Sequence, residues 1–238
     1  MKKQSTSGWE KRSNTTGRKT RIAYDFSVEG QTELWYLKWL QSQINDRNDA
    51  CCHVSLKIAV KSPTKYVRDM SVLDHRIITH VFDYESNEPE HNQRFERILD
   101  EMKRAEKSKS IKYQLGYSNF SFELWMILHK KDCNGLFAHR SGYLAALNAA
   151  YEAQFESLDV YKQAADFERI LKKLCLDDVI AAVHRSEKIT RKNMANVHSW
   201  QTCNGFTYCK DNPSLSIGEV IGGILRDCGL MSAPPSNL

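Results

Sequence analysis

The 238-residue sequence lacks the motifs that mark several protein classes. Its seven cysteines form no C-x-x-C pair, and the spacing of Cys203 and Cys209 from His198 fits no usual zinc site. The polar N-terminus has no apolar export segment, so we expect reduced thiols in a cytoplasmic protein. No apolar run approaches the ~20 residues that cross a bilayer, and no G-x-x-x-x-G-K-S/T motif occurs. We therefore expect no membrane association and no P-loop in this chain.

Basic residues are concentrated at the N-terminus. Residues 1–21 carry seven Lys or Arg and one acid, whereas the rest of the chain is close to neutral. A basic segment over 1–20 that is rich in Ser and Thr is typical of a flexible arm that contacts phosphates, or of a tail that only aids solubility. A second basic cluster ends a predicted helix and is a further candidate for nucleic-acid binding. It consists of Arg185, Lys188, Arg191 and Lys192.

Hydrophobic periodicity predicts alternating strands and helices in the first half of the chain. Strands are predicted at 22–28, 51–60, 76–82 and 111–115, and helices at 34–44, 65–73 and 87–107. This alternation predicts an α/β fold over 21–130, with a mainly parallel sheet covered by helices on both faces. Helices at 142–155, 165–176, 178–192 and 216–228, with a loop at 200–213, predict a mostly helical region over 131–238 that packs on this core.

Two predicted strands end in carboxylates. The first reaches Glu29, and a glycine then leads into a helix for which Thr32 is the predicted N-cap and Glu33 a first-turn acid. The second ends in Asp83-Tyr84-Glu85, whose two acids point the same way if the backbone stays extended. Because the carboxyl ends of parallel strands share one edge, we expect these four acids to surround one point.

A bound Mg²⁺ or Mn²⁺ would relieve the repulsion among such acids, since these ions prefer oxygen ligands. The sequence therefore predicts a divalent metal site, which could activate a water for attack on a phosphodiester. The alternative is that Glu29 is a surface turn residue, that Glu33 only serves the helix end, and that Asp83 and Glu85 cap the helix that follows.

The two acidic motifs, E-G-Q-T-E at 29–33 and D-Y-E at 83–85, resemble those of the Toprim domain, the metal-binding fold of topoisomerases, primases and OLD-type nucleases. The stretch GYSNFSFELWMILH at 116–129 resembles the S-N-P-x-F-E-x-W-x-x-L-H signature of the RloB-like family. Asn-Pro-Ser at 212–214 is similar to that family too. These small proteins are encoded near restriction and phage-defence genes, often beside an ABC-type ATPase, and the resemblance covers 18–228.

The resemblance implies a Toprim nuclease-like effector of antiviral defence that acts on RNA, such as transfer RNA, more readily than on DNA. An ABC-type ATPase is the expected partner, and a homodimer is left open. By position, the catalytic candidates are Glu29, Glu33 and Glu123. The candidate metal ligands are Glu29, Asp83 and Glu85, with Glu85 standing where the family pattern has Asp. Ser118 and Asn119, at the start of the signature, are candidates for binding phosphate or for orienting Glu123.

Several alternatives stay open. Glu123 lies in an apolar stretch and needs a partner, which could be a metal, Asn119, or a Lys or Arg in a structural ion pair. His129 is either a core histidine or a base, and Lys162 either neutralises a phosphate or faces water. At the level of function, the alternatives are a non-catalytic nucleic-acid-binding or regulatory subunit of an ATPase complex, and a small-molecule enzyme, for which no Gly-rich phosphate loop is present.

Overall fold

The structure is a computed structural model that describes residues 19–71, 75–133, 139 and 141–232. Within these residues the strands are β1 (Thr20–Val28), β2 (Cys52–Val60), β3 (Arg76–Asp83), β4 (Ile111–Asn119), β5 (Trp200–Cys203), β6 (Phe206–Cys209) and β7 (Ser214–Leu215). The α-helices are α1 (Gln31–Asn45), α2 (Pro63–Arg68), α3 (Pro89–Ser108), α4 (Glu123–Leu128), α5 (Gly142–Tyr151), α6 (Leu158–Tyr161), α7 (Ala164–Leu171), α8 (Leu176–Met194) and α9 (Ile217–Asp227).

Five strands form the main sheet in the order β2-β1-β3-β4-β7. The first four are parallel to one another, and the short β7 joins the edge antiparallel to β4. This arrangement confirms the predicted mainly parallel α/β sheet. The fifth strand comes from the C-terminal half of the chain, so that half contributes to the sheet as well as covering it.

The sheet separates two apolar cores, which confirms the prediction of helices on both faces. On one face, residues of β1 and β2 pack with α1, α4, α8 and α9, including Val28, Leu37 and Trp125. On the other face, residues of β3 and β4 pack with α2 and α3, including Phe82 and Phe95. Helix α4 is buried along its whole length, as its apolar sequence predicts. The C-terminal half is rich in helices, again as predicted.

The prediction of a loop at 200–213 is wrong, because this segment contains the β5–β6 hairpin and leads into β7. Asn204 and Gly205 both have positive φ angles, of 53° and 85°. Two such residues in a two-residue turn match the right-handed twist of a hairpin, and Asn-Gly is the preferred pair. The Gly, Asn and Cys content of the segment therefore marks a tight turn between two short strands.

The predicted basic arm falls largely outside the described residues, which begin at Lys19; β1 starts one residue later, at Thr20. The amine of Lys19 donates hydrogen bonds to the carbonyl oxygens of Arg47 and Asn48, at 2.9 and 3.1 Å. Among the described residues, no helix has both the length and the apolar character needed to cross a membrane.

Candidate functional site

Glu29 and Asp83 lie side by side at the C-terminal edge of the sheet. Val28 of β1 is paired with Val81 of β3, and the backbone N–H of Glu29 donates to the carbonyl of Val81 at 3.0 Å. The Glu29 carboxylate in turn accepts a hydrogen bond from the backbone N–H of Asp83 at 3.4 Å. The parallel register therefore brings together two acids that are 54 positions apart in the sequence.

A pocket of about 250 Å³ opens at this edge. It is lined by the two strand ends, the first turn of α1, and one lysine from the C-terminal half of the chain. Its lining residues are Glu29, Gly30, Gln31, Thr32, Glu33, Asp83, Glu85 and Lys162. The four acids expected around one point thus share one pocket. We call it the acid pocket.

Glu33 enters the acid pocket from the first turn of α1, as predicted. The predicted N-cap is wrong: the helix begins at Gln31, and Gly30 is the N-cap. The hydroxyl of Thr32 instead donates to the Glu33 carboxylate at 3.1 Å. A Cβ atom at Gly30 would lie 2.7 Å from Glu33 Oε2, so a larger residue here would require the Glu33 carboxylate to shift. Glu33 is only 5% exposed, and this burial raises the pKa of its carboxyl to about 7.

Asp83 has a pKa well above its usual range for two reasons. Removal from water is the larger, and the nearby charges of Glu33, Glu123 and Glu29 add to it. The cation of Lys162 acts in the opposite direction. The acid pocket therefore holds more carboxylates than the lysine can neutralise, and it favours either protons or a further cation.

Lys162 follows α6 and connects the acid pocket to Glu123. Its amine lies 3.1 Å from Glu123 Oε1, and Glu123 is 1% exposed. Burial alone would lower the pKa of Lys162, but the charges of Glu123 and Asp83 raise it above its ordinary value. Glu123 Oε2 is buried without a hydrogen-bond partner among the described residues. Lys162 is thus the cation that the apolar setting of Glu123 requires.

Arg94 of α3 bridges two of the predicted metal ligands. One guanidinium nitrogen contacts Glu29 Oε1, and the other lies 2.6 Å from Glu85 Oε1. His91 Nε2 lies 3.2 Å from the second oxygen of Glu85. Glu85 has a φ of +50°, so the expected extended backbone of the D-x-E motif is wrong: β3 ends at Asp83 and the chain turns through the left-handed region.

The acid pocket fits a divalent cation in donor chemistry. It offers carboxylate oxygens, and Mg²⁺ commonly uses only one or two carboxylates with waters and phosphate oxygens. The unpartnered oxygen of Glu123 and the raised pKa of Asp83 both indicate a shortage of positive charge. Across the described residues, however, no group of three or more His, Cys, Asp or Glu is arranged to hold a metal, and Arg94 engages Glu29 and Glu85.

Comparison with protein families matches the RloB-like protein family over residues 27–221. The match covers most of the chain, including both strand ends and the helices that follow. The chain belongs to the RloB-like family. Comparison with curated proteins and with solved structures gave no match.

The signature stretch of this RloB-like protein begins in the buried end of strand β4. Strand β4 continues to Asn119, four residues beyond its predicted end, and buries Ser118 and Asn119. The amide of Asn119 donates to the carbonyl oxygens of Lys210 and Asp211, both at 3.0 Å. Both side chains are buried, so a phosphate contact by either would need a different local arrangement, and the predicted role stays a prediction.

Arg185, predicted to bind nucleic acid, also has a structural role in the RloB-like chain. Its guanidinium donates to the carbonyl oxygens of Leu128 and His129, at 2.6 and 3.1 Å, where α4 ends. Such bonds satisfy carbonyls that have no partner within the helix. Lys188 lies 3.4 Å from Asp132. Arg191 and Lys192 are exposed at the end of α8, and their predicted role stays a prediction.

His129 is a core histidine in this family member. Its ring nitrogens bond the Tyr36 hydroxyl at 3.0 Å and the Trp125 carbonyl at 2.9 Å. Burial lowers the pKa of His129 to about 4, which keeps the ring neutral at physiological pH. Neither partner lines the acid pocket, so His129 fits the structural alternative better than a role as a base.

The sequence predictions for the RloB-like chain overlooked Arg94 and left Lys162 open. Arg94 belongs to a stripe on α3 with Arg97, Glu101 and Arg104, at spacings of three and four residues. This spacing predicts one charged face of the helix. Lys162 had no comparable signal, because its neighbours give no reason to place it near Glu123.

Proposed function

We propose that this RloB-like chain is a metal-dependent phosphodiesterase that cleaves nucleic acid. The observation that carries this proposal is the acid pocket, in which Glu29, Glu33 and Asp83 converge at the C-terminal edge of a mainly parallel sheet with Lys162 beside them. This edge is where open α/β sheets place their ligands. The likeness of both acidic motifs to those of the Toprim domain supports the same reading.

The chain's own residues would divide the work as follows. Glu29 and Asp83, with Glu85 once it is free of Arg94, would hold Mg²⁺ or Mn²⁺. The bound ion would supply an activated water and stabilise charge during in-line attack on phosphorus. Glu33 has a pKa of about 7, which suits a group that accepts or donates a proton near neutral pH.

Two further residues would complete the site. Lys162 lines the acid pocket and stays protonated, so it would offset the negative charge of a phosphate held there. Glu123 would act through Lys162, whose amine it contacts at 3.1 Å. The predicted catalytic role of Glu123 thus becomes one of positioning the lysine.

The resemblance to the RloB-like family supplies the biological setting of the proposal. We propose RNA, such as transfer RNA, as a better substrate than DNA, antiviral defence in the cytoplasm as the role, and an ABC-type ATPase as the partner. These assignments rest on likeness to related Toprim effectors, because a fold by itself does not fix a function.

A second candidate function is a non-catalytic nucleic-acid-binding or regulatory subunit of an ATPase complex. The specific observation that favours it is Arg94, which occupies Glu29 and Glu85 and so takes the place of a dication. In this case the acid pocket would be an ion-paired structural centre, and the partner would perform the chemistry.

Cleavage assays separate the two candidates. The purified chain is incubated with Mn²⁺, Mg²⁺ or EDTA on transfer RNA, on single-stranded RNA and on DNA. We expect cleavage only with metal, and its loss by at least ~100-fold in Asp83→Asn. Glu168→Gln is the matched control, since Glu168 is an exposed acid on α7 that does not line the acid pocket.

Cleavage that persists in Asp83→Asn or in EDTA would refute the assignment of the site. If the chain alone is inactive, the same variants are tested in a complex with the ATPase. Full activity of the complex with Asp83→Asn would favour the regulatory subunit.

A further inference from the structure

A second and larger cavity adjoins the acid pocket. It has a volume of about 670 Å³ and lies between α2 and α3, where Val28 and Val60 end their strands. Glu29 and Arg94 line it too, so Glu29 belongs to both cavities and Arg94 stands at their junction. We call this cavity the basic groove.

The charge of the basic groove is opposite to that of the acid pocket. Five cationic side chains line it against two carboxylates, and its histidine, His80, is buried and neutral because burial lowers its pKa to about 4. The cations come from both walls. They are Lys61, Lys65, Arg94, Arg97 and Arg104.

The wall formed by α3 owes its charge to the helical repeat. Arg94, Arg97 and Arg104 recur at intervals of three and seven residues and so share one face. The opposite face of the same helix buries Phe95 and Leu99 in the core. Packing therefore fixes which way the arginine face points, and it points into the groove.

Most of these cations have no carboxylate partner in the groove. Within the part of the chain that the structure describes, neither Arg97 nor Arg104 forms an ion pair; each guanidinium contacts only a backbone carbonyl of its own helix, at 3.3 and 3.4 Å. Lys65 on the facing wall is exposed and likewise forms no ion pair among the described residues.

Glu101, the acid in the middle of the arginine face, is turned toward α2. Its Oε1 accepts from the Ser62 hydroxyl at 2.6 Å, from the Thr64 N–H at 3.1 Å, and from the Thr64 hydroxyl. Burial would raise the pKa of Glu101, but these hydrogen bonds lower it below its usual value. Glu101 therefore links α2 to α3, and among the described residues it forms no ion pair with Arg97 or Arg104.

We propose that the basic groove binds the phosphate groups of a nucleotide chain, with Arg97, Arg104 and Lys65 as the contacting cations. Arginine forks and lysine amines are the usual protein partners of phosphate oxygens. The partly exposed apolar side chains of Val60 and Ile98 also line the groove and offer a surface for sugar and base. The proposal rests on the proposed function, because it extends the substrate away from the acid pocket.

Binding is measured by fluorescence anisotropy of a 5′-labelled, 12-nucleotide single-stranded RNA in EDTA, where no metal-dependent cleavage occurs. The test variant is Arg97→Gln/Arg104→Gln. The control is Lys107→Gln/Lys112→Gln, which removes the same charge from exposed residues that do not line the groove. We expect at least ~10-fold weaker binding in the test variant, and within ~2-fold of wild type in the control.

The salt dependence gives a second readout. The slope of log K against log salt should fall by about 1.4 in the test variant, because each lost phosphate contact contributes about 0.7 on single strands. Lys65→Gln, from the facing wall, should weaken binding independently, so the result does not depend on one helix. Competition by a 5′-mononucleotide shows whether single nucleotides suffice or whether a strand is needed.

Unchanged affinity in the test variant, or equal loss in the control, would overturn the proposal, as would loss caused instead by Arg191→Gln/Lys192→Gln at the end of α8. The outcome is independent of catalysis. If Asp83→Asn stops cleavage while Arg97→Gln/Arg104→Gln binds normally, only the groove assignment fails. If Arg97→Gln/Arg104→Gln loses binding but the wild-type protein cleaves no substrate, only the proposed phosphodiesterase activity is refuted.

Discussion

Neutralising Glu33 should stabilise this protein at alkaline pH and do little at acid pH. The carboxyl of Glu33 has a pKa raised from 4.5 to about 7, chiefly by burial. A raised pKa means that the folded state binds the proton more tightly than the unfolded state. The stabilisation is complete below about pH 4.5 and is lost as the pH rises through about 7.

The size of the effect follows from the shift. Each unit of pKa corresponds to about 1.4 kcal/mol, so the free energy of unfolding should fall by on the order of 3 kcal/mol between pH 5 and pH 8 because of Glu33. Glu33→Gln keeps the neutral form at every pH, and its amide oxygen can still accept from Thr32. The free energy of unfolding of Glu33→Gln should therefore exceed that of the wild type by a similar amount at pH 8.

The assay is urea unfolding, followed by tryptophan fluorescence at pH 5, 6.5 and 8 in EDTA. Asp83→Asn should also raise the free energy of unfolding at pH 8. The double variant should gain less than the sum of the two single variants, because the charge of Glu33 is one cause of the raised pKa of Asp83. The control is Glu168→Gln, at an acid that is 65% exposed beside Lys172, where we expect no measurable change in the free energy of unfolding at any of these pH values.

Two results would refute this reasoning. The first is a Glu33→Gln variant no more stable than wild type at pH 8. The second is a gain of the same size at pH 5 and pH 8, which would mean that packing rather than ionisation is responsible.

Three other perturbations test separate contacts. Arg94→Met should tighten Mn²⁺ binding by on the order of 10-fold in calorimetry, because the two acids that it bridges become available; unchanged affinity would count against competition between the guanidinium and a metal. Lys162→Met should lower the free energy of unfolding, measured in urea, by about 2 to 3 kcal/mol at pH 8, since Glu123 would be left buried without a cation; an equal loss when the lysine is replaced in Glu123→Gln would contradict this cause. Gly218→Ala should cost about 2 kcal/mol or more, because its Cβ would lie 2.0 Å from Ser186 Oγ, and Ser186→Gly in the same chain should recover most of the loss.

The sheet and the meeting of the acids at its edge were predictable from sequence. Strands β1 and β3 are apolar runs that end in Glu29 and Asp83, and a parallel arrangement places their C-terminal ends together whatever the details of packing. The first turn of α1 then brings in Glu33. These features depend on short-range pattern and on one topological rule.

The features that sequence reasoning missed depend on tertiary distance or on local backbone. Arg94 meets Glu29 across 65 positions, and no local pattern specifies that contact. Glu85 leaves the extended region one residue after Tyr84, which alternation along a strand does not predict. Asn119 is buried because β4 runs beyond its apolar stretch and pairs with β7, a strand too short for periodicity to reveal.

The stability of the fold does not explain why the acid pocket contains buried carboxylates. Glu33 and Asp83 weaken the folded state as the pH rises, since both carboxyls have raised pKa values. A neutral amide at either acid would avoid this cost without changing side-chain size. Groups that destabilise a fold are expected where a ligand is bound or chemistry occurs. In the basic groove alongside, Arg97 and Arg104 form no ion pair with any carboxylate among the described residues, so the two adjoining cavities carry opposite charge.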